Sequence, residues 1–188
     1  MPNLYIIAGC NGAGKTTASL TILPEILDCR EFVNADLIAY GLSPLNVKSV
    51  AMEAGRLMLR RIKELLLDEK DFAFETTLAT RSYVNLIREA KAKGYEVTLL
   101  YFWLHSPEQA KERVAERVAK GGHNIEDEVI ERRYYRGIRN FFKLYSPVCD
   151  NWMLIDNTNS EPVLMAKGHR ENIEIEENNL WAQIQEQL

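Results

Sequence analysis

The 188-residue sequence predicts one α/β domain: a mainly parallel sheet of about five strands, flanked by helices, with a helical lid. Three observations predict it. Short apolar runs of strand length alternate with longer stretches of helical periodicity. The strongest run, EVTLLYFWL at 96–104, is nearly continuous in apolar and β-branched residues, as a strand covered on both faces requires. The length suits one core and leaves little for a second domain, so residues 1–188 read as one unit, with the lid at about 111–143.

The elements follow in order. Asn3 to Gly9 is a short apolar run closed by glycine, which reads as a buried strand. A helix is expected from Gly14 to about Ile22, ending before Pro24. Glu31 to Asn34 reads as a second strand. Ser49 to Leu67 places Ala51, Ala54, Met58, Ile62 and Leu65 at helical spacing with charges between them. Phe72 to Glu75 is a third strand ending on a carboxylate, and Tyr83 to Lys93 a helix stopped by Gly94. After the strong strand, Ser106-Pro107-Glu108-Gln109 carries an N-cap serine, a proline at the first helical position and glutamine at the third. That helix is broken by Gly121-Gly122, and another is expected from Ile125 to Leu144. Trp152 to Ile155 is a fifth strand. The tail is expected to add a strand or hairpin at VLMAKG and a last helix near 180–187, with IEIEEN as a solvated face and Trp181 and Leu188 as core contacts.

The chemistry is concentrated in GCNGAGKTT at 9–17. Gly9, Gly14, Lys15 and Thr16 fit the pattern G-x-x-x-x-G-K-[ST], with a strand before and a helix after. Glycines let the main chain wrap so that its N–H groups face phosphate oxygens, and the helix N-terminus adds favourable potential. Gly9, Asn11, Gly12, Ala13, Gly14, Lys15, Thr16 and Thr17 are therefore the expected nucleotide-binding residues of a P-loop NTPase fold. Lys15 would reach the β- and γ-phosphates, and Thr16 would offer its hydroxyl to Mg²⁺. Cys10, inside the loop, reads as a neutral filler.

Two carboxylates sit at the strand ends where an open parallel sheet gathers its ligand site. Glu75 in FAFETTL is the candidate on the metal side. Asp36 in VNADLIA is the candidate general base toward an acceptor hydroxyl, or else only the N-cap of a short LIAY turn. From Lys111 to Lys143 nine Lys and Arg stand against six Asp and Glu, in a chain of net charge −4. Arginines on either side of a glycine hinge can close over a triphosphate. Arg117 and Arg133 are the chosen pair; Arg113, Arg132, Arg136 and Arg139 read mainly as a solvated face and otherwise as possible partners of that pair. His123 reads as a capping or lid-packing residue.

With these residues in place, the chain resembles the zeta-toxin-like family of P-loop kinases. The resemblance rests on GCNGAGKTT, FVNADLIA, FAFETTL and RVAERVAKGGHNIEDEVIERRY in that order, over roughly the first three quarters of the chain. It implies phosphoryl transfer from ATP or GTP to a small-molecule hydroxyl, with UDP-N-acetylglucosamine as the acceptor of true zeta toxins. It puts the phosphate-binding lysine on Lys15 and the general base on Asp36. It puts an acid–x–threonine pair that contacts acceptor or metal on Glu75 and Thr77, and the clamping arginines on Arg117 and Arg133. An antitoxin-type protein partner is implied by the same resemblance, although no antitoxin segment is visible in the sequence.

Composition narrows the alternatives. The net acidity argues against a general nucleic-acid binder, though a nucleoside, antibiotic or polynucleotide kinase shares the same core. A nucleotide-hydrolysing switch acting through a protein partner is the reading from another class. Three cysteines without a C-x-x-C pair suggest a reducing compartment, and no apolar run reaches membrane-spanning length. The expectation is a cytoplasmic enzyme.

Overall fold

The structure, a computed structural model, describes residues 1–170 and 172–188. In chain order the strands are β1 (Asn3–Gly9), β2 (Phe32–Val33), β3 (Phe72–Thr76), β4 (Glu96–Trp103), β5 (Asn151–Asp156), β6 (Val163–His169) and β7 (Asn172–Ile175). The helices are α1 (Lys15–Glu25), α2 (Ala35–Leu42), α3 (Ala51–Leu67), α4 (Tyr83–Ala92), α5 (Pro107–Ala119), α6 (Asp127–Asn140) and α7 (Asn178–Gln185). They form one sheet in the order β2-β3-β1-β4-β5-β6-β7, parallel from β2 through β5 and antiparallel beyond.

The sheet thus has seven strands, not about five. The two additional strands, β6 and β7, form a hairpin on the β5 edge, in which β7 alternates Ile with Glu and is exposed throughout. The expected solvated face at IEIE is therefore an edge strand. Helix α1 also passes through Pro24, because a proline in the last turn removes only one donor. Leu188 is 38% exposed and is not the core contact expected of it, whereas Trp181 packs against the core.

The core sits on the central strands. Leu4, Ile6, Phe72, Phe74, Val97 and Leu99 are fully buried, which is why these runs read as almost unbroken apolar sequence. Helix α3 buries Ala54, Met58, Ile62, Leu65 and Leu66, the stripe seen in its spacing except Ala51, which is exposed at the first turn, plus one further leucine. A π-helical turn at Phe141–Tyr145 follows α6 and sends Phe141 against Trp152 and Phe142 against Trp181. Beneath it the C-terminal segment is tied down by one side chain. Gln187 Oε1 accepts from Trp103 Nε1 at 3.1 Å and from the Tyr134 hydroxyl at 2.8 Å, while its Nε2 donates to the His105 carbonyl at 3.0 Å.

All the parallel strands point their C-terminal ends the same way, and β1 lies between β3 and β4. The chain places β2 at one edge, inserts β3 between it and β1, and then crosses to build β4 and β5 on the other side. Such a reversal leaves a crevice at the strand ends, and the phosphate loop, Asn34 and Glu75 meet there. Among the described residues no helix is long and apolar enough to cross a membrane.

Candidate active site

The loop after β1 is shaped by left-handed glycines and by what packs behind them. Gly12 has φ of +81°, and a Cβ there would stand 2.7 Å from the Ala110 carbonyl oxygen of α5. Gly14, with φ of +77°, starts α1. From the far end of the chain, Asn157 Nδ2 donates to the Ala13 carbonyl at 2.8 Å and braces the loop from behind. Lys15 is buried; its Nζ donates to the Cys10 carbonyl at 2.8 Å and lies 3.5 Å from Glu75 Oε1. Burial pushes the Cys10 thiol up to about 11, so it is an uncharged filler, as its place in the loop suggested.

Glu75 is held by three neighbours. Besides Lys15, its Oε2 accepts from Thr16 Oγ1 at 2.7 Å and from Asn34 Nδ2 at 2.7 Å. Asp36 is different. The LIAY stretch is a full helix, α2, and its N-cap is Asn34, whose Oδ1 accepts from the N–H groups of Asp36 at 2.8 Å and Leu37 at 3.2 Å. Asp36 is therefore not the cap. Among the described residues its carboxylate has no hydrogen-bond or ion-pair partner, and it lines the cleft beside Lys15.

The arginines separate by location. Arg117, on α5, donates to the His123 carbonyl at 2.8 Å, and Arg113, one turn earlier, donates to the carbonyls of Asn157 and Thr158 at 2.9 and 2.8 Å. Arg133, on α6, donates to Asn11 Oδ1 at 3.1 Å. Burial draws its pKa down and the facing Asp36 carboxylate draws it up. A guanidinium stays charged in either case.

Two cavities meet at this point. One, of about 270 Å³, is lined by the phosphate-loop residues with Thr17, Arg113 and Arg117. The other, of about 210 Å³, is lined by Met58, Thr76, Thr77, Thr80, Tyr83 and Arg133. Both include Asn11, Lys15, Asp36 and Glu75. The wall carrying Thr77 and Thr80 is rigid: Leu78 takes φ of +59°, and Asn140 Nδ2 and the Tyr145 hydroxyl donate to the carbonyls of Leu78 and Thr80 at 2.8 and 2.7 Å.

The donor set also bears on a metal ion. Among the described residues no cluster of three or more His, Cys, Asp or Glu could hold one. One carboxylate beside one hydroxyl, next to a phosphate site, instead suits Mg²⁺, which keeps several waters and takes its remaining ligands from phosphates. Thr16 and Glu75 fit that role.

Every predicted site residue lines one cavity or both, except Gly9 and Ala13, which shape the loop from behind. Sequence reasoning missed Asn34, Met58, Thr80, Tyr83 and Asn157, and it set Arg113 on a solvated face. Only Asn34 left a readable signal, an asparagine directly before a helix.

A wrapped glycine loop, a lysine and a free carboxylate between two cavities, and arginines on an overhanging helix pair define a class. That class is the P-loop kinase fold. Within that class the chain belongs to the zeta toxin family: the profile described as Zeta toxin matches residues 1–162. The fold is similar to AvrRxo1-ORF1 in its complex with AvrRxo1-ORF2 and ATP, with a TM-score of 0.78 at 18% identity. That match covers 98% of this chain and 63% of the other, so this chain spans less than two thirds of that protein's length. The PezAT toxin–antitoxin system of Streptococcus pneumoniae gives 0.70 at 17% identity, covering 100% and 78%. Shikimate kinase from Acinetobacter baumannii, in complex with shikimate, gives 0.51 at 21%, covering 86% of each chain. At these identities the likeness is one of fold.

Proposed function

We propose that this protein transfers the γ-phosphoryl group of ATP, or GTP, to a hydroxyl of a small molecule, a nucleotide sugar such as UDP-N-acetylglucosamine being the acceptor that the family suggests. The observation that carries the reading is the pair of cavities sharing Lys15 and Asp36. A transferase must hold donor and acceptor on either side of one reacting centre; a hydrolytic switch needs only the first cavity and a water. The acceptor cavity is smaller than the 300 Å³ or so of a typical ligand pocket. It suits the hydroxyl-bearing end of the acceptor, with the rest lying outside.

In this reading the phosphate-loop N–H groups and Lys15 hold the β- and γ-phosphates. Mg²⁺, bound at Thr16 and Glu75, would supply charge neutralisation between those phosphates. Asp36 takes the proton of the acceptor hydroxyl as its oxygen bonds to the γ-phosphorus. The bond to the bridging oxygen breaks and the nucleoside diphosphate leaves with that electron pair. Arg117 and Arg133 would face the equatorial oxygens of the transferring group, one from each cavity. Thr77 would orient the acceptor. The proposal extends to a cytoplasmic setting and to an antitoxin-type protein partner, as the family suggests.

The test incubates the protein with Mg²⁺, γ-labelled ATP and a panel of nucleotide sugars, nucleosides and a short oligonucleotide, with Asp36→Asn as control. Label on one acceptor, lost about 10²- to 10⁴-fold in the variant while nucleotide still binds, supports the reading. Label released only as free phosphate, whatever is added, overturns it.

A further inference from the structure

Asn34 touches three elements with one side chain. It is buried, at 5% exposure, in the turn between β2 and α2. Its oxygen accepts the two N–H groups that open α2, including that of Asp36. Only an oxygen can meet those donors, so the amide orientation is fixed and Nδ2 points the other way. There it donates to Glu75 Oε2 at 2.7 Å, at the end of β3, and approaches Thr16 Oγ1 at 3.4 Å, at the start of α1.

Capping alone does not account for this. Serine, threonine and aspartate cap helices as well as asparagine does or nearly so. An aspartate here would face Glu75 with no proton to donate, and a serine or threonine hydroxyl is shorter than the amide. Asparagine supplies an acceptor for α2 and a donor for Glu75 from one rigid plane.

We propose that Asn34 is a positioning residue that locks the metal-side pair, Glu75 and Thr16, in register with the turn that carries Asp36. It acts through those groups rather than on the substrate, and the assignment rests on the kinase reading above. Partners that orient metal-binding side chains typically change metal affinity 10- to 100-fold when removed.

The test compares wild type, Asn34→Ser, Glu75→Gln and the double variant by titrating Mg²⁺ against binding of a fluorescent ATP analogue, which needs no acceptor. Serine keeps the cap, so Asn34→Ser should melt within about 2 °C of wild type and bind the analogue equally well without Mg²⁺. Its half-saturating Mg²⁺ concentration should rise about 10-fold, with no further rise in the Glu75→Gln background. A wild-type titration, a shift that adds fully to that of Glu75→Gln, or a fall in melting temperature and Mg²⁺-free binding together would overturn the proposal. At saturating Mg²⁺, kcat should still fall about 10-fold because Glu75 is no longer tied to the capped turn that carries Asp36, with KM for ATP unchanged; an unchanged kcat there would break the link to Asp36. If wild type transfers label to no acceptor yet the Mg²⁺ shift appears, the kinase reading fails and the lock stands.

Discussion

The two walls of the cleft are built differently. On the strand side, Lys15, Thr16, Asn34 and Glu75 are bonded to one another, so their positions are set before any ligand arrives. On the helix side, among the described residues, Arg113, Arg117 and Arg133 bond only to carbonyls and one amide oxygen, and none is in an ion pair with a carboxylate. Carbonyls hold a guanidinium in place without neutralising it, and Arg133 also faces the carboxylate of Asp36. In the proposed reaction the first wall would be preorganised for a metal and a triphosphate, and the second would supply positive charge to the transition state.

The largest effect should come from breaking the strand wall. Lys15→Met removes the phosphate contact and leaves Glu75 without its cation, and kcat/KM for transfer should fall about 10³-fold in a radiolabel assay. On the helix wall Arg117→Ala should cost about 10² in kcat. Its melting temperature should stay at the wild-type value, because only the His123 carbonyl loses a partner; a large melting shift would mean that this wall is structural as well. Where the walls touch, Gly12→Ala brings a Cβ against the Ala110 carbonyl at a left-handed φ. Calorimetry should register about 1–3 kcal/mol of lost stability, together with roughly tenfold weaker nucleotide binding. The smallest effect belongs to the exposed pair of Lys48 with Glu126, at 2.9 Å, which joins the turn after α2 to the start of α6. Lys48→Ala should leave transfer within about twofold of wild type, and any residual difference should vanish in high salt.

Local signals made the strand wall legible. The glycine loop, the acid closing FAFE and the NAD stretch each announce themselves within a few residues, and the structure brings them together at the sheet edge. Asn34 was overlooked because its donor reaches Glu75, 41 residues away. The brace of Asn157 on the loop spans 144 residues and the reach of Arg133 to Asn11 spans 122, separations at which one sequence carries no pairing signal. Arg117 and Arg133 are picked from the arginines flanking the Gly121-Gly122 hinge, and the family resemblance points to the same pair. Strand β7 escaped for another reason. Its two isoleucines and the glutamate between them are all exposed, so burial imposed no readable pattern on it.

The bonds of Gln187 put assembly in a fixed order. A chain made from its amino terminus completes the phosphate loop within its first 17 residues. The buried hydroxyl of Tyr134, on the helix that carries Arg133, meets Gln187 only when that residue has left the ribosome. The loop residues are therefore made long before this tie can form, and until Gln187 has emerged a nascent chain lacks the bond that anchors the helix carrying Arg133.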